Sequence, residues 1–264
     1  MNRYLAVGKG GFKTALVYRF HFYTTIFTAP VTLIIYYFLW QSIYNYSGQE
    51  IIRGFTFPAL ISYFAISMIV GFFTWTFVDQ ELENNVRHGY LVGFLLKPIN
   101  FIYWQFMFEA GFSFLSVILE MIPLFLIGIL IFKMQIASWS YFILFFVSLA
   151  LAIVLDYLLG YIVGMSTFWL GKISGIRKLK RVSLTFLSGG FIPLAFFPAG
   201  FQTVSHYLPF EYTRYVPINI YLEKLSYLES FEMLGLQIVW IGIMFFIANI
   251  IWKRAFKKFT GAGT

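Results

Sequence analysis

Three carboxylates interrupt long apolar runs: Glu109, Glu120 and Asp156. An ionisable group inside a membrane helix is expensive, so it faces protein or a hydrated cavity and marks a candidate site. Glu109 and Glu120 are 11 residues apart. That is about three helical turns, so they share one helix face. Glu109 is expected near the end of its span, with Glu120 and Asp156 near mid-depth. No Lys or Arg is expected at their level. Three roles compete for these acids: a structural hydrogen bond to a neighbouring Tyr, Ser or Trp, contact with a compound or water in a lumen, and proton coupling. The histidines, His21, His88 and His206, fall at three different levels. A metal ion needs its ligands within a few ångströms of it, so no metal site is expected. With no cysteine there is no disulfide, thiol nucleophile or iron–sulfur cluster. The acids lack a nucleophile or base partner, which argues against an enzyme.

The elements that carry these residues follow from composition. The 264 residues are 60% hydrophobic and 11% charged, where a soluble domain holds roughly 25% charged residues. The fold class is therefore an all-α integral membrane protein. Six spans are expected, near 22–43, 57–78, 103–132, 139–170, from 182 onward, and 231–252. Residues 1–20 are basic, with Phe12, Leu16, Val17 and Phe20 among Lys9, Lys13 and Arg19. They suit an interfacial helix with snorkelling cations, and Gly8, Gly10 and Gly11 interrupt it. A signal peptide fits less well, because the next apolar run is long enough to span and no small-residue cleavage site follows. The fifth span is broken. Gly189, Gly190, Pro193, Pro198, Pro209 and Pro217 exclude one continuous helix, while the Phe, Leu and Tyr around them exclude a free aqueous loop. A broken, re-entrant-like outer segment over 189–230 is expected, with an ordinary outer loop as the alternative. Gly160 and Gly164 have the spacing of close helix approach, within the chain or between copies.

Charge placement sets the orientation. All of the 19 Lys and Arg except Arg53, Lys133, Arg214 and Lys224 fall on one side if both termini are cytoplasmic, as the positive-inside rule requires. The net charge of +8 is then a topology signal and a contact with the anionic lipid bilayer. Nucleic acid is not expected as a partner. On the same side lies the longest polar break, 79–98. Val78, Leu82 and Val86 recur at helical spacing there, and Leu91, Phe94 and Leu95 extend the apolar face after Gly89. The pattern is a short amphipathic helix, turned at Gly89 and stopped by Pro98; a solvated loop is the alternative.

Several stretches together carry a family resemblance. They are Leu95-Leu96-Lys97-Pro98-Ile99-Asn100, the break Ser188-Gly189-Gly190-Phe191-Ile192-Pro193-Leu194, and then Phe197-Pro198, Leu208-Pro209-Phe210 and Tyr215-x-Pro217. Gln237 and Trp240 in the last span and a basic tail with Gly261 complete the pattern. In order and spacing the chain resembles the permease subunit of type-2 ABC transporters, in the short six-span group called daunorubicin-type or uncharacterised. The resemblance implies a multi-pass cell-membrane permease paired with a second one, identical or paralogous. It also implies two cytoplasmic ABC ATPase subunits that hold ATP and Mg, and export of a hydrophobic or amphipathic compound. It assigns ATPase coupling to the acidic segment, at Asp79, Glu81, Glu83, Arg87, Leu91, Leu95 and Pro98. The family often has adjacent Arg-Glu there, whereas this chain has Glu83-Asn84-Asn85-Val86-Arg87, so its charge pairing is expected to differ. No Gly-x-x-x-x-Gly-Lys-Ser/Thr loop is present, so no cofactor is expected in this chain. The competing class is an ion-coupled secondary transporter or channel using Glu120 and Asp156.

Overall fold

The computed structural model describes residues 3–17, 19–96 and 99–258. Helix α1 spans Arg3–Val17 and α2 spans Arg19–Ser47. A two-stranded hairpin follows, β1 at Ile51–Ile52 and β2 at Phe55–Thr56, with Ile51 opposite Thr56 and Ile52 opposite Phe55. Its two-residue turn, Arg53-Gly54, has positive φ at both positions (51° and 80°), as a tight hairpin turn requires. Helix α3, Phe57–Thr74, is capped by the Thr56 hydroxyl accepting from Ala59 N and has proline in its first turn. Next come α4, Val78–Arg87, and α5, Leu91–Leu95, turned at Gly89 (φ 73°). Helix α6, Phe101–Ser116, passes through a wide π turn, Val117–Met121, into α7, Ile122–Leu130. Pro123 has no N–H to give and its ring crowds the preceding turn; the π turn, closed by Ile122 N–H on Val117 O, absorbs the mismatch. Helices α8, Trp139–Met165, and α9, Thr167–Leu170, lead to α10, Ser174–Leu187. Then α11, Ala199–His206, α12, Glu211–Tyr221, and α13, Tyr227–Lys258, complete the chain.

Among the described residues five helical segments are long and apolar enough to cross a membrane: Thr24–Ser47, Phe57–Arg87, Phe101–Leu130, Trp139–Leu170 and Tyr227–Lys258. The all-α membrane class holds, with five such helices where six spans were expected; the expected fifth span, from 182 onward, is broken as anticipated and is too short to cross as one helix. Helix α10 has 14 residues, about 21 Å at 1.5 Å per residue, against a hydrocarbon core of roughly 30 Å. It ends where Gly189 takes φ 73°, and the chain returns through α11 and α12. Pro193, Pro198 and Pro209 lie in the connections, as expected of breaks. Pro217 does not break its helix; it lies inside α12. Nine of the 11 residues of α12 are buried, and that packing outweighs the hydrogen bond lost at proline.

Helices α3 and α8 form the centre. The apolar window of Phe57–Arg87 is 67% buried and that of Trp139–Leu170 is 56% buried, against 17% for α2 and 22% for α13. Gln237 of α13, fully buried, ties three helices together. It accepts from Ser148 Oγ of α8 and donates to the carbonyls of Ser148 and of Tyr212 in α12. Helix α1 runs alongside α6 in the same direction: Tyr4 meets Tyr103, Phe12 meets Phe114, and Ala15 packs near Leu115. Two of the glycines expected to interrupt α1, Gly8 and Gly11, are instead on its contact face, while Gly10 has no neighbour within 4 Å of a Cβ. A Cβ on Gly11 would lie 2.0 Å from Phe108 O, and one on Gly111 would lie 1.9 Å from Gly8 O.

At the hairpin end the loops are bound to one another. Tyr44 donates to Phe55 O (2.6 Å) and Tyr221 to Gln135 O (3.0 Å). Gln135 N donates to Ser62 Oγ and Tyr141 Oη to Leu225 O. Lys224 reaches Gly54 O and lies over the Phe55 ring. Partial desolvation against the Phe55 ring lowers the Lys224 ammonium from its ordinary pKa, although the residue stays exposed.

Candidate functional site

The amphipathic helix expected after the second span is α4, and its two faces do different things. Val78 and Leu82 are fully buried and pack on α8. Gly160 and Gly164 make that approach possible. A Cβ at Gly160 would lie 2.9 Å from Val78 Cγ1, and one at Gly164 would lie 3.0 Å from Asp79 Cα. The GxxxG pair therefore serves a contact within the chain. Leu91 of α5 is buried in the same cluster, with Phe101, Tyr157, Tyr161 and Met165.

Asp79 and Glu83, one turn apart on α4, are 2% and 5% exposed. They face α10, which offers Arg177 and Lys180 one turn apart. Lys180 Nζ lies 2.8 Å from Asp79 Oδ2, an ion pair whose angles fall short of a directed hydrogen bond. Arg177 Nε lies 3.6 Å from Asp79 Oδ1, and its Nη2 donates to Glu83 Oε2. Glu83 also accepts from Ile173 N (3.3 Å) and lies 3.6 Å from Arg87. Removing one member of such a buried set leaves its partner's charge uncompensated, which costs more than the set adds when whole.

Glu109 fixes the start of α4. Its carboxylate accepts from Thr76 Oγ1 (2.7 Å), Phe77 N (3.2 Å) and Gln105 Nε2 (2.8 Å). A carboxylate is well placed there, next to the positive end of the helix dipole. The expected structural role thus has a geometry at Glu109. Asp156, one turn before Gly160 on α8, feels Lys180, Arg214 and Asp79. The expectation of no cation at its level is overturned: Arg214 lies between Gly71 of α3 and Gly190 of the break, not in an outer loop. Glu120 sits in the π turn, buried, at the wall of a cavity of about 210 Å³ with Trp75 and Phe112.

Of the residues assigned to coupling, Asp79, Glu83 and Leu91 point into the protein. Glu81 is partly exposed and Arg87 is exposed. The side chain of Leu95, and Pro98 entirely, lie outside the described residues, as do the side chain of His21 and all of Gly261. The exposed surface here is Arg87, His88, Tyr90 and Leu96, the last two 67% and 82% exposed. At the break, Tyr63 Oη donates to Gly189 O (2.8 Å), and a Cβ on Gly189 would meet that hydroxyl at 2.7 Å. Sequence reasoning missed Arg177, Lys180, Arg214, Thr76 and Gln105. Arg177 and Lys180 on α10, and Asp79 and Glu83 on α4, are each about one helical turn apart, a spacing that could have suggested the pairing. His88 Nδ1 lies 2.9 Å from Asn84 O and His206 pairs with Glu211 at 3.6 Å. Among the described residues no group of three His, Asp or Glu could hold a metal.

No curated protein sequence matches the chain. The sequence model of one family, described as ABC-2 family transporter protein, matches residues 31–263. That match spans the hairpin, the acid–base joint between α4 and α10, the break and the last long helix, so the chain belongs to the ABC-2 family of transporter proteins.

Proposed function

We propose that this chain is the membrane half of an ATP-driven exporter that moves a hydrophobic or amphipathic compound outward across the cell membrane. ATP and Mg are held and used by separate cytoplasmic ATPase subunits. A second permease, identical or paralogous, completes the pathway, and both termini are cytoplasmic. The observation that carries this reading is the fixing of α4. Its apolar face is keyed to two glycines of α8 and its acids to two cations of α10. A push on α4 then moves packed helices as bodies, the way a ligand-driven displacement travels through an interface. In this reading Asp79 and Glu83 transmit, and Arg87, Tyr90 and Leu96 present the contact to the ATPase.

Co-purification in mild detergent tests it. The wild type is expected to bring down a stoichiometric ATPase. Arg87→Glu with Tyr90→Ala is expected to lose the ATPase and stay folded. Asp79→Asn is expected to keep the ATPase while uncoupling ATP turnover from transport. Recovery of no ATPase from native membranes under any mild condition would refute the reading. The ion-coupled alternative has one observation in its favour, the placement of Glu120 at a cavity wall; loss of ion-driven transport in Glu120→Gln is its signature.

A further inference from the structure

Arg214 projects from α12 between two glycines. A Cβ at Gly71 would lie 3.4 Å from its Nη1, and one at Gly190 would lie 3.0 Å away. The two missing side chains make room for the guanidinium fork. Among the described residues no carboxylate comes within ion-pair distance of it and no hydrogen bond uses its donors. Asp156 and the Tyr63 hydroxyl act on it only from farther off. Asp156, the acid that acts on it, is shared with Lys180. A guanidinium has five N–H donors in a planar fork that matches carboxylate and phosphate. Partly buried with that fork unspent, it is poorly compensated by the protein and open to an anion that fills it.

The fork opens on a groove of about 350 Å³ between α2 and α3. One wall carries hydroxyls: Thr25, Thr28 and Thr32, at helical spacing on α2, and Ser67 on α3. Thr28 and Thr32 place their hydrogens on carbonyls of their own helix. A charged acceptor in the groove competes well for them, because bonds to an ionised group are roughly twice as strong as neutral ones. The other wall is apolar, with Phe64, Met68, Phe72 and Trp75. Trp75, Phe72, Gly71 and Thr25 also line the adjoining cavity of about 210 Å³, whose far wall carries Glu120, a carboxylate that keeps an anionic head at the Arg214 end. Together the two spaces fall in the range of small-molecule sites, roughly 300–1,000 Å³. They have one cationic, hydroxyl-lined end and one aromatic end.

We propose that this groove binds an amphipathic anion, with its phosphate or carboxylate head on the Arg214 fork and its apolar part along Phe72 and Trp75. In transport terms this names the cargo class of the permease reading and rests on it. The binding itself does not.

The test uses purified full-length protein in neutral detergent, titrated calorimetrically with dodecyl phosphate, inorganic phosphate and dodecyltrimethylammonium. Wild type is expected to bind dodecyl phosphate at least about tenfold more tightly than either control ligand, the scale of one charge-assisted, bidentate contact. Arg214→Gln is expected to lose that preference and Arg214→Lys to keep part of it. Gly71→Leu keeps the charge but fills the space in front of it, on a helix that accepts leucine. It is expected to lose binding while still melting in one cooperative transition, which covers the case in which Arg214→Gln fails to fold. Native mass spectrometry after extraction from phosphatidylglycerol–phosphatidylcholine vesicles separates the two sources of such an anion. Phosphatidylglycerol retained by wild type and lost in Gly71→Leu identifies a membrane lipid headgroup. Dodecyl phosphate binding without retained lipid identifies a soluble amphipathic anion. Equal dodecyl phosphate binding by wild type and Gly71→Leu, or equal affinity of wild type for dodecyltrimethylammonium, overturns the proposal. Binding that persists when no ATPase can be co-purified overturns the permease reading and leaves the site standing.

Discussion

Asp79 shows how much a single side chain carries in this chain. It is buried, it faces Arg177 and Lys180, and Lys180 in turn lies toward Asp156. Asp79→Asn is expected to lower stability by roughly 3–5 kcal/mol, the cost of leaving buried cations unmatched. Reversal of the pair, Asp79→Lys with Lys180→Asp, is expected to recover part of that loss in thermal melts, whereas each single reversal is not. Gly160→Val tests the apolar side of the same joint. Its side chain would sit where Val78 already is, and overpacking of this kind costs about 1–3 kcal/mol. The acids of α4 were legible in the sequence as a charged, helical stretch, and Glu109 as an acid needing a partner. Their direction was not. Amphipathic spacing tells that a helix has two faces, and on α4 Asp79 and Glu83 take the inward side because α10 brings Arg177 and Lys180 there, more than 90 residues on.

Among the elements, the α1–α6 pair is held by backbone proximity. Gly111→Val on α6 is expected to displace α1, because its Cβ would collide with Gly8 O. Hydrogen exchange should then rise across Arg3–Val17 while α3 and α8 keep their protection. The glycines of α1 read in the sequence as interruptions, since glycine weakens an isolated helix by roughly 1 kcal/mol against alanine. Only the partner helix shows Gly8 and Gly11 to be the contact. The break after α10 was legible from Gly189, Gly190 and three prolines. That Pro217 would stay helical was not, because burial of α12 on nearly every side overrides a local rule. The expected fifth span lies partly in α10, and the turn at Gly189 cuts it short.

Across the whole molecule, composition pointed to the membrane class, and the apolar runs located the five long helices, although the second and last extend up to nine residues beyond their expected ends. What neither could give is which helices are central. Mean hydropathy is similar for the spans of α3 and α2, at 1.8 and 1.5, yet their burial differs fourfold, 67% against 17%. The difference comes from who surrounds them. Gln237 is the polar residue on which that arrangement depends most widely, since it joins α13 to α8 and α12. Gln237→Leu is expected to cost about 1–3 kcal/mol by leaving the Ser148 hydroxyl and the Tyr212 carbonyl without their bonds. A thermal melt of the purified protein reads this as a single lowered transition.

The bound loops at the hairpin end have a mechanical consequence. Hydrogen bonds from Tyr44, Tyr221, Tyr141 and Gln135, together with Lys224 on Gly54 and Phe55, fasten α2, α3, α8 and the α12–α13 connection at one end of the bundle. A bundle clamped at one end and driven at the other behaves as a lever with a fixed fulcrum, and displacement grows with distance from the pivot. The chain has no cysteine of its own, so pairs of spin labels can be placed freely. Labels at Arg87 and Leu179 are expected to change separation during ATP turnover, while labels at Arg53 and Leu228 hold theirs.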